Sequence, residues 1–168
     1  QHLDDRELAD WQDRFANWDR TLIDRLMTEL GAAAHRDEFQ TDFKASYAVE
    51  PQAVALAEDR LLQAGLDLQF IASGASDFDV IPLRAGKGQA TLEVAARLGV
   101  DADKRLIVAG DSGNDIAMFE VSQKAIAVGN ARDELLRALD PQRSFRASLP
   151  RAAGILEGLQ HWGVPIAS

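Results

Sequence analysis

The string "GDSGND", residues 110–115, places two glycines, two carboxylates, an amide and a hydroxyl in six positions. It follows the apolar run "RLIVA" and precedes "IAMFE". Asp111 thus stands just past the end of a buried strand, where open parallel α/β sheets bind their ligands. Gly110 and Gly113 permit turns that side chains would obstruct. Asp111 and Asp115 lie four positions apart, with Asn114 between them. A hard cation such as Mg2+ takes a few carboxylate oxygens and completes its shell with water and phosphate oxygens. This loop can supply one or two of those ligands. Backbone N–H groups at the start of the following helix also favour an anion. The competing reading is a helix N-cap, for which Asp, Ser and Asn are the usual residues. Capping needs only one of them, so the metal site is the preferred expectation.

A second constellation is "AGKGQAT", where Lys87 sits between Gly86 and Gly88 at a helix start. A lysine there can present a compact positive charge to a phosphate. Taken alone, a solvated lysine in a turn is the better reading. A Walker A loop is excluded, because that motif needs a glycine five residues before the Gly-Lys pair. This chain has Ile81 in that place.

The elements that must carry these loops are legible in the apolar spacing. Leu8, Trp11, Phe15, Trp18, Leu22, Leu26 and Leu30 recur at steps of three and four, which predicts a helix over 4–30 stopped by Gly31. "HRDEFQTD" reads as a polar link. "FKASYAV" alternates, with Phe43, Ala45, Tyr47 and Val49 on one face and Lys44, Ser46 and Ala48 on the other, as a half-buried strand does. Pro51 suits the first turn of a helix to about Ala64, with Gly65 as its stop. "LDLQFIAS" and "DFDVIPL" are two more strands joined by the turn signal "SGAS". After Pro82 the rhythm changes. A helix over 87–98 leads to "RLIVA", a helix from Asn114 to Val121 to "KAIAVG", and the helix "ARDELLRALD" to "SFRAS" and a final helix "AAGILEGLQHW". Apolar strands without alternation, separated by helices, predict a parallel sheet covered on both faces. The expected boundary between the two parts lies near 82–86.

The whole chain has 168 residues, 46% of them hydrophobic, enough for one domain or two small ones with a true core. Its formal net charge of −9 opposes a general nucleic-acid binder. A local site can still be positive on an acidic protein. The absence of cysteine excludes disulfides and thiolate metal sites. His2, His35 and His161 are too scattered for ligand spacing. No apolar run is long enough to span a membrane, so no membrane partner and a cytoplasmic location are expected. The chain opens on Gln1 rather than Met, as a fragment or processed product would.

A Lys-Gly pair at a helix start, one helix, then a buried strand ending in "GDSGND" resembles the third and fourth motifs of haloacid dehalogenase superfamily phosphohydrolases. The order "WDR", "FKASYAV", "DFDVIP", "AGKGQA", "GDSGNDIAMFE", "VGNARDELL", "RAAGILEGL" is similar to that of the sucrose-6-phosphate phosphatase family within it. The resemblance implies an α/β fold: a partial parallel-sheet core over 84–168 and a small α+β cap domain with its leading helix over 1–83. It implies a Mg2+-dependent phosphatase converting sucrose-6-phosphate and water to sucrose and phosphate. Lys87 would hold the phosphoryl group, Asp111 would ligate Mg2+, and Asp115 would support the metal site. Gly88, Ser112 and Asn114 would shape the loops. The cap would contact the sugar, with Lys44, Ser46, Ser73, Gly74, Asp77 and Asp79 as candidates because short polar side chains and a glycine suit close approach to hydroxyls.

The same resemblance calls for an aspartate nucleophile in "DxDxT" on a first core strand, and a Ser or Thr after the next strand. Neither is found where the family puts them. "LDDRELAD" and "WDRTLID" lie in or before the first helix. The chain is therefore expected to be the cap plus the second half of the core, completed by a missing N-terminal segment or another polypeptide. Two alternatives stay open: a phosphatase for another sugar or glycosyl-glycerol phosphate, and a noncatalytic sugar-phosphate-binding domain associated with a sucrose-phosphate synthase.

Overall fold

The computed structural model describes residues 10, 11, 13–15 and 17–165. The chain forms two compact units, Gln1–Gly86 and Lys87–Ser168.

The first unit is an antiparallel sheet backed by two helices. Helix α1 (Arg20–Glu29) precedes β1 (Ala33–Ala34) and β2 (Ala45–Ala48), and helix α2 (Val54–Leu62) precedes β3 (Leu68–Ser73) and β4 (Asp77–Pro82). The strand order is β1-β2-β4-β3. The core joins Ile23, Leu26 and Met27 of α1 to Tyr47, Leu61, Phe78 and Val80. Phe70 and Phe78 stack with centroids 5.7 Å apart.

The single helix predicted over 4–30 is not what forms; its residues before Asp10 lie outside the described ones. A 3-10 turn, Asp13–Phe15, is separated from α1 by a break at Trp18 and Asp19. Asp19 leaves helical geometry (φ −119°) and its carboxylate accepts the Leu22 N–H at 2.9 Å, so an N-cap interrupts the apolar stripe. The Trp18 indole N–H donates to the Asp42 carbonyl at 2.7 Å. The strand expected over 43–49 shortens to β2, and the polar link before it supplies β1 and a 3-10 turn, Asp37–Phe39. Nor is β2 half-buried: Ser46 is as buried as its neighbours. The Gln40 amide pairs with its backbone at the strand edge, accepting the Ser46 N–H at 2.9 Å and donating to the Ser46 carbonyl at 2.8 Å.

Tyr47 ties the sheet to α1, its hydroxyl donating to Asp24. Burial, and then the Asp24 carboxylate, push this hydroxyl's pKa well above its ordinary value. The folded state therefore holds the phenolic proton more tightly than the unfolded chain does. The stabilisation is complete below about pH 10 and is lost as pH rises from there through the folded value. Urea midpoints measured from about pH 8 to about pH 11 should fall more steeply for the native chain than for Tyr47→Phe. Equal slopes would show that Tyr47 does not couple to folding.

The second unit alternates helix and strand: α3 (Lys87–Arg97), α4 (Ala102–Arg105), β5 (Val108–Gly110), α5 (Ile116–Val121), β6 (Ala125–Ala127), α6 (Asp133–Ala138), β7 (Ser144–Arg146) and α7 (Arg151–His161). The sheet is parallel throughout, in the order β5-β6-β7. Ala125, Ile126 and Ala127 are all fully buried, which is why β6 shows no alternation. Two glycines set the helix approach. A Cβ on Gly158 would lie 2.5 Å from the Ile126 side chain, so α7 packs tightly on β6. A Cβ on Gly88 would lie 2.4 Å from the Ala117 carbonyl, so the start of α3 is pressed against α5. Among the described residues, no helix is long and apolar enough to cross a membrane.

Candidate active site

The chain leaves β5 at Gly110 and turns through Asp111 and Ser112 into a 3-10 turn, Gly113–Asp115. Gly110 is required sterically, because a Cβ there would lie 2.6 Å from the Asp115 Cβ. The turn folds Asp115 back under its own loop, and its carboxylate accepts the Asp111 N–H at 3.0 Å. Its other oxygen meets the Lys87 Nζ at 2.5 Å. The Asp115 side chain is 8% exposed and that of Lys87 46%, so a buried carboxylate is neutralised by a cation open to the cavity. Lys87 also donates to Asn114 Oδ1 at 3.1 Å, and the Ser112 hydroxyl donates to the same oxygen at 3.0 Å. Lys87, Ser112, Asn114 and Asp115 thus form one bonded network, and Gly88 lets it close against α5.

Asp111 differs from Asp115. It is exposed, and among the described residues nothing bonds to its carboxylate. Its carbonyl accepts the Arg132 N–H at 2.8 Å, which fixes the loop without using the side chain. The cavity here has a volume of about 410 Å³ and is lined by residues from α3, the end of β5, the end of β6 and the start of α7. Asn130 and Arg151 line it too, and the sequence reading missed both. Their signal is not local: Asn130 Oδ1 accepts the Arg151 N–H at 2.8 Å across 21 residues. Arg151 is the one non-glycine with positive φ (53°) among the described residues, a conformation costing about 1–2 kcal/mol. The loop before α7 is held by Glu157, whose carboxylate accepts the N–H groups of Leu149 and Ser148 at 3.0 and 2.9 Å. The Leu149 N–H, with Ser148, holds its pKa below the ordinary carboxylate value.

Mg2+ binds through one or two carboxylates, completing an octahedral shell with water and phosphate oxygens. The free Asp111 carboxylate fits that demand. The oxygens of Asp115 are already engaged by Lys87 and the Asp111 N–H. Among the described residues there is no group of three or more His, Asp or Glu side chains that would form an all-protein cage.

The expected sugar-contact residues fall in the first unit, on one hairpin and its neighbour. Ser46 is opposite Asp79 in register, and its hydroxyl donates to the Asp79 carboxylate. Lys44 Nζ lies 3.5 Å from the other Asp79 oxygen. Ser73 is opposite Asp77, and Gly74 makes the turn between them with φ 62°. Ser46, Ser73, Asp77 and Asp79 therefore share one sheet face, since paired residues and i, i+2 neighbours point the same way. His35, which the sequence reading left unassigned, joins them with Nε2 3.2 Å from Asp77 Oδ1. Ser46 departs from its expected outward, solvated position: it is 4% exposed and engaged by Asp79 and Gln40.

A family model described as sucrose-6F-phosphate phosphohydrolase matches residues 2–163. A mannosylfructose-phosphate phosphatase of Agrobacterium fabrum is 34% identical over 150 residues, covering 86% of this chain and 60% of that protein. Sucrose-phosphatase 1 of Nicotiana tabacum is 29% identical over 160 residues, covering 88% of this chain and 38% of that protein. The crystal structure of a sucrose-phosphatase from a Synechocystis species, in complex with sucrose and phosphate, superposes with a TM-score of 0.83 at 30% identity, covering 92% of this chain and 67% of that one. The chain thus spans 60% and 38% of the lengths of the first two relatives. The α/β architecture with one parallel and one antiparallel sheet is the haloacid dehalogenase-like fold of such phosphatases.

Proposed function

The chain belongs to the sucrose-6F-phosphate phosphohydrolase family, and from that premise we propose that it forms part of a Mg2+-dependent sugar-phosphate phosphatase acting on sucrose-6-phosphate. The observation that carries the reading is the cavity at the strand ends, where the buried Asp115 fixes Lys87 and leaves the Asp111 carboxylate open. Lys87 orients a phosphoryl oxygen with the donor capacity that Asp115 and Asn114 leave it. Asp111 holds the metal, which supplies charge neutralisation at the phosphoryl group when bound. Ser112 and Asn114 keep the Lys87 ammonium aimed into the cavity. These roles leave none of the four residues as the nucleophile, and the 168 residues contain no "DxDxT" string. The aspartyl nucleophile and the acid that protonates the leaving sugar oxygen are assigned to a further segment or polypeptide.

The polar sheet face bearing Lys44, Ser46, Ser73, Gly74, Asp77 and Asp79 is assigned sugar recognition. The A. fabrum relative favours a second reading on the same chemistry, with mannosylfructose phosphate as substrate. Phosphate release from the two substrates by the complete enzyme separates them through the ratio of kcat/KM values. Ser46→Ala with Asp79→Asn should shift that ratio by about tenfold, because a charged acceptor for sugar hydroxyls is lost from this face and the two sugars present their hydroxyls differently. An unchanged ratio would remove the first unit from substrate selection. Hydrolysis of neither substrate, with sugar-phosphate binding retained, would support the noncatalytic domain, and a pull-down with a sucrose-phosphate synthase would then test its partner. The acidic chain is assigned no nucleic-acid partner, and its place of action is taken to be the cytoplasm.

A further inference from the structure

The cavity at the ends of β5 and β6 carries a second cation with no role in the assignments above. We infer that Arg151 binds the phosphoryl oxygens of the substrate there, with Asn130 as the residue that positions it; the inference rests on the phosphatase reading. Charge is the first reason. Without Arg151, the ionisable side chains lining this cavity are Lys87, Asp111 and Asp115, a net charge of −1. A phosphate monoester brings about −1.5 to −2 more at neutral pH. A Mg2+ on Asp111 would bring the lining to +1, and Arg151 raises it to +2, the charge that balances the phosphate.

Donor capacity is the second reason. Lys87 has three donors, and Asp115 and Asn114 engage two. Arg151 lines the same cavity, and among the described residues its guanidinium has no hydrogen-bond or ion-pair partner. A guanidinium presents five donors in a planar fork that matches two phosphate oxygens at once. The backbone is the third reason. Arg151 keeps a φ of 53° that a glycine would adopt freely, and Asn130 Oδ1 holds it there through the Arg151 N–H at 2.8 Å. Such geometry persists only where surrounding groups enforce it, and it clusters at ligand-binding sites.

The test is direct binding of inorganic phosphate to the full chain in the presence of Mg2+, by isothermal titration. Arg151→Gly removes the fork and relieves the backbone at once. It should weaken phosphate binding about tenfold, with a melting midpoint no lower than that of the native protein. Arg151→Lys should fall between, since it keeps the charge and loses the fork. Asn130→Ala should weaken binding less than Arg151→Gly, because it releases the Arg151 backbone without removing the guanidinium. Phosphate bound equally well by Arg151→Gly, or not bound by the native chain, overturns the inference. Weakened binding accompanied by a matching loss of folded protein assigns Arg151 a purely structural role and overturns it as well. Arg151-dependent binding in a protein whose complete form hydrolyses no sugar phosphate would leave the inference standing and reject the phosphatase reading.

Discussion

The 168-residue chain, supplied with Mg2+ and excess sucrose-6-phosphate, should release phosphate no faster than buffer alone. The covalent route needs a carboxylate free to attack phosphorus and a second group to serve the leaving oxygen as acid. The carboxylates lining the strand-end cavity are Asp111 and Asp115. On the proposed reading the first is committed to the metal, and the second is held by Lys87 at 2.5 Å and the Asp111 N–H at 3.0 Å. Asp24, on α1, is taken up by Arg20 and Tyr47. Removing a member of a concerted catalytic unit costs about a millionfold in kcat, which places turnover at background. Phosphate release by the purified chain, alone and mixed with a polypeptide bearing the "DxDxT" strand, checks this. Efficient Mg2+-dependent turnover by the chain alone would mean that a nucleophile is already present in it.

In the complete enzyme, Asp111→Asn should reduce hydrolysis by about 10²–10³-fold, the scale set by removing one electrostatic contact to the transition state. The fold should not register the change. Among the described residues no partner holds the Asp111 side chain, and exposed substitutions of this kind stay within about 0.5 kcal/mol. Asp115→Asn makes the informative contrast. It breaks a bonded pair whose acidic member is 8% exposed and should therefore lose both stability and activity. Melting midpoints and kcat for the two variants separate the roles. Equal midpoints with an active Asp111→Asn enzyme would reject Asp111 as the metal ligand.

The two loops to which this chemistry is assigned were legible because their signals are local. Glycine beside carboxylates after an apolar run marks a strand-end turn, and a continuous apolar run marks a strand covered on both faces, as β6 is. The interrupted first helix was not legible in its apolar spacing. Leu22 and Leu26 continue the period of Phe15 and Trp18, but Asp19 satisfies the Leu22 N–H and starts a new helix. Spacing reports which face is apolar; it does not report where a side chain competes with the backbone for a donor.

The order of residues is enough to give the alternating rhythm of the second unit, the antiparallel hairpin of the first, and the residue types gathered at the strand ends. Packing separates the committed aspartate from the free one. Asp111 and Asp115 have the same chemistry and flank the same turn; the approach of Lys87, 28 residues before Asp115, and the Asp111 N–H distinguish them. Packing also decides that Ser46 is buried, with its hydroxyl taken up by the Asp79 carboxylate of the paired strand. Arg151 reaches the cavity because β6 and α7 bring Asn130 and the α7 start together. Periodicity encodes each element's own burial, whereas these contacts join residues whose separation along the chain has no period, so they exist only once the sheets and helices have packed.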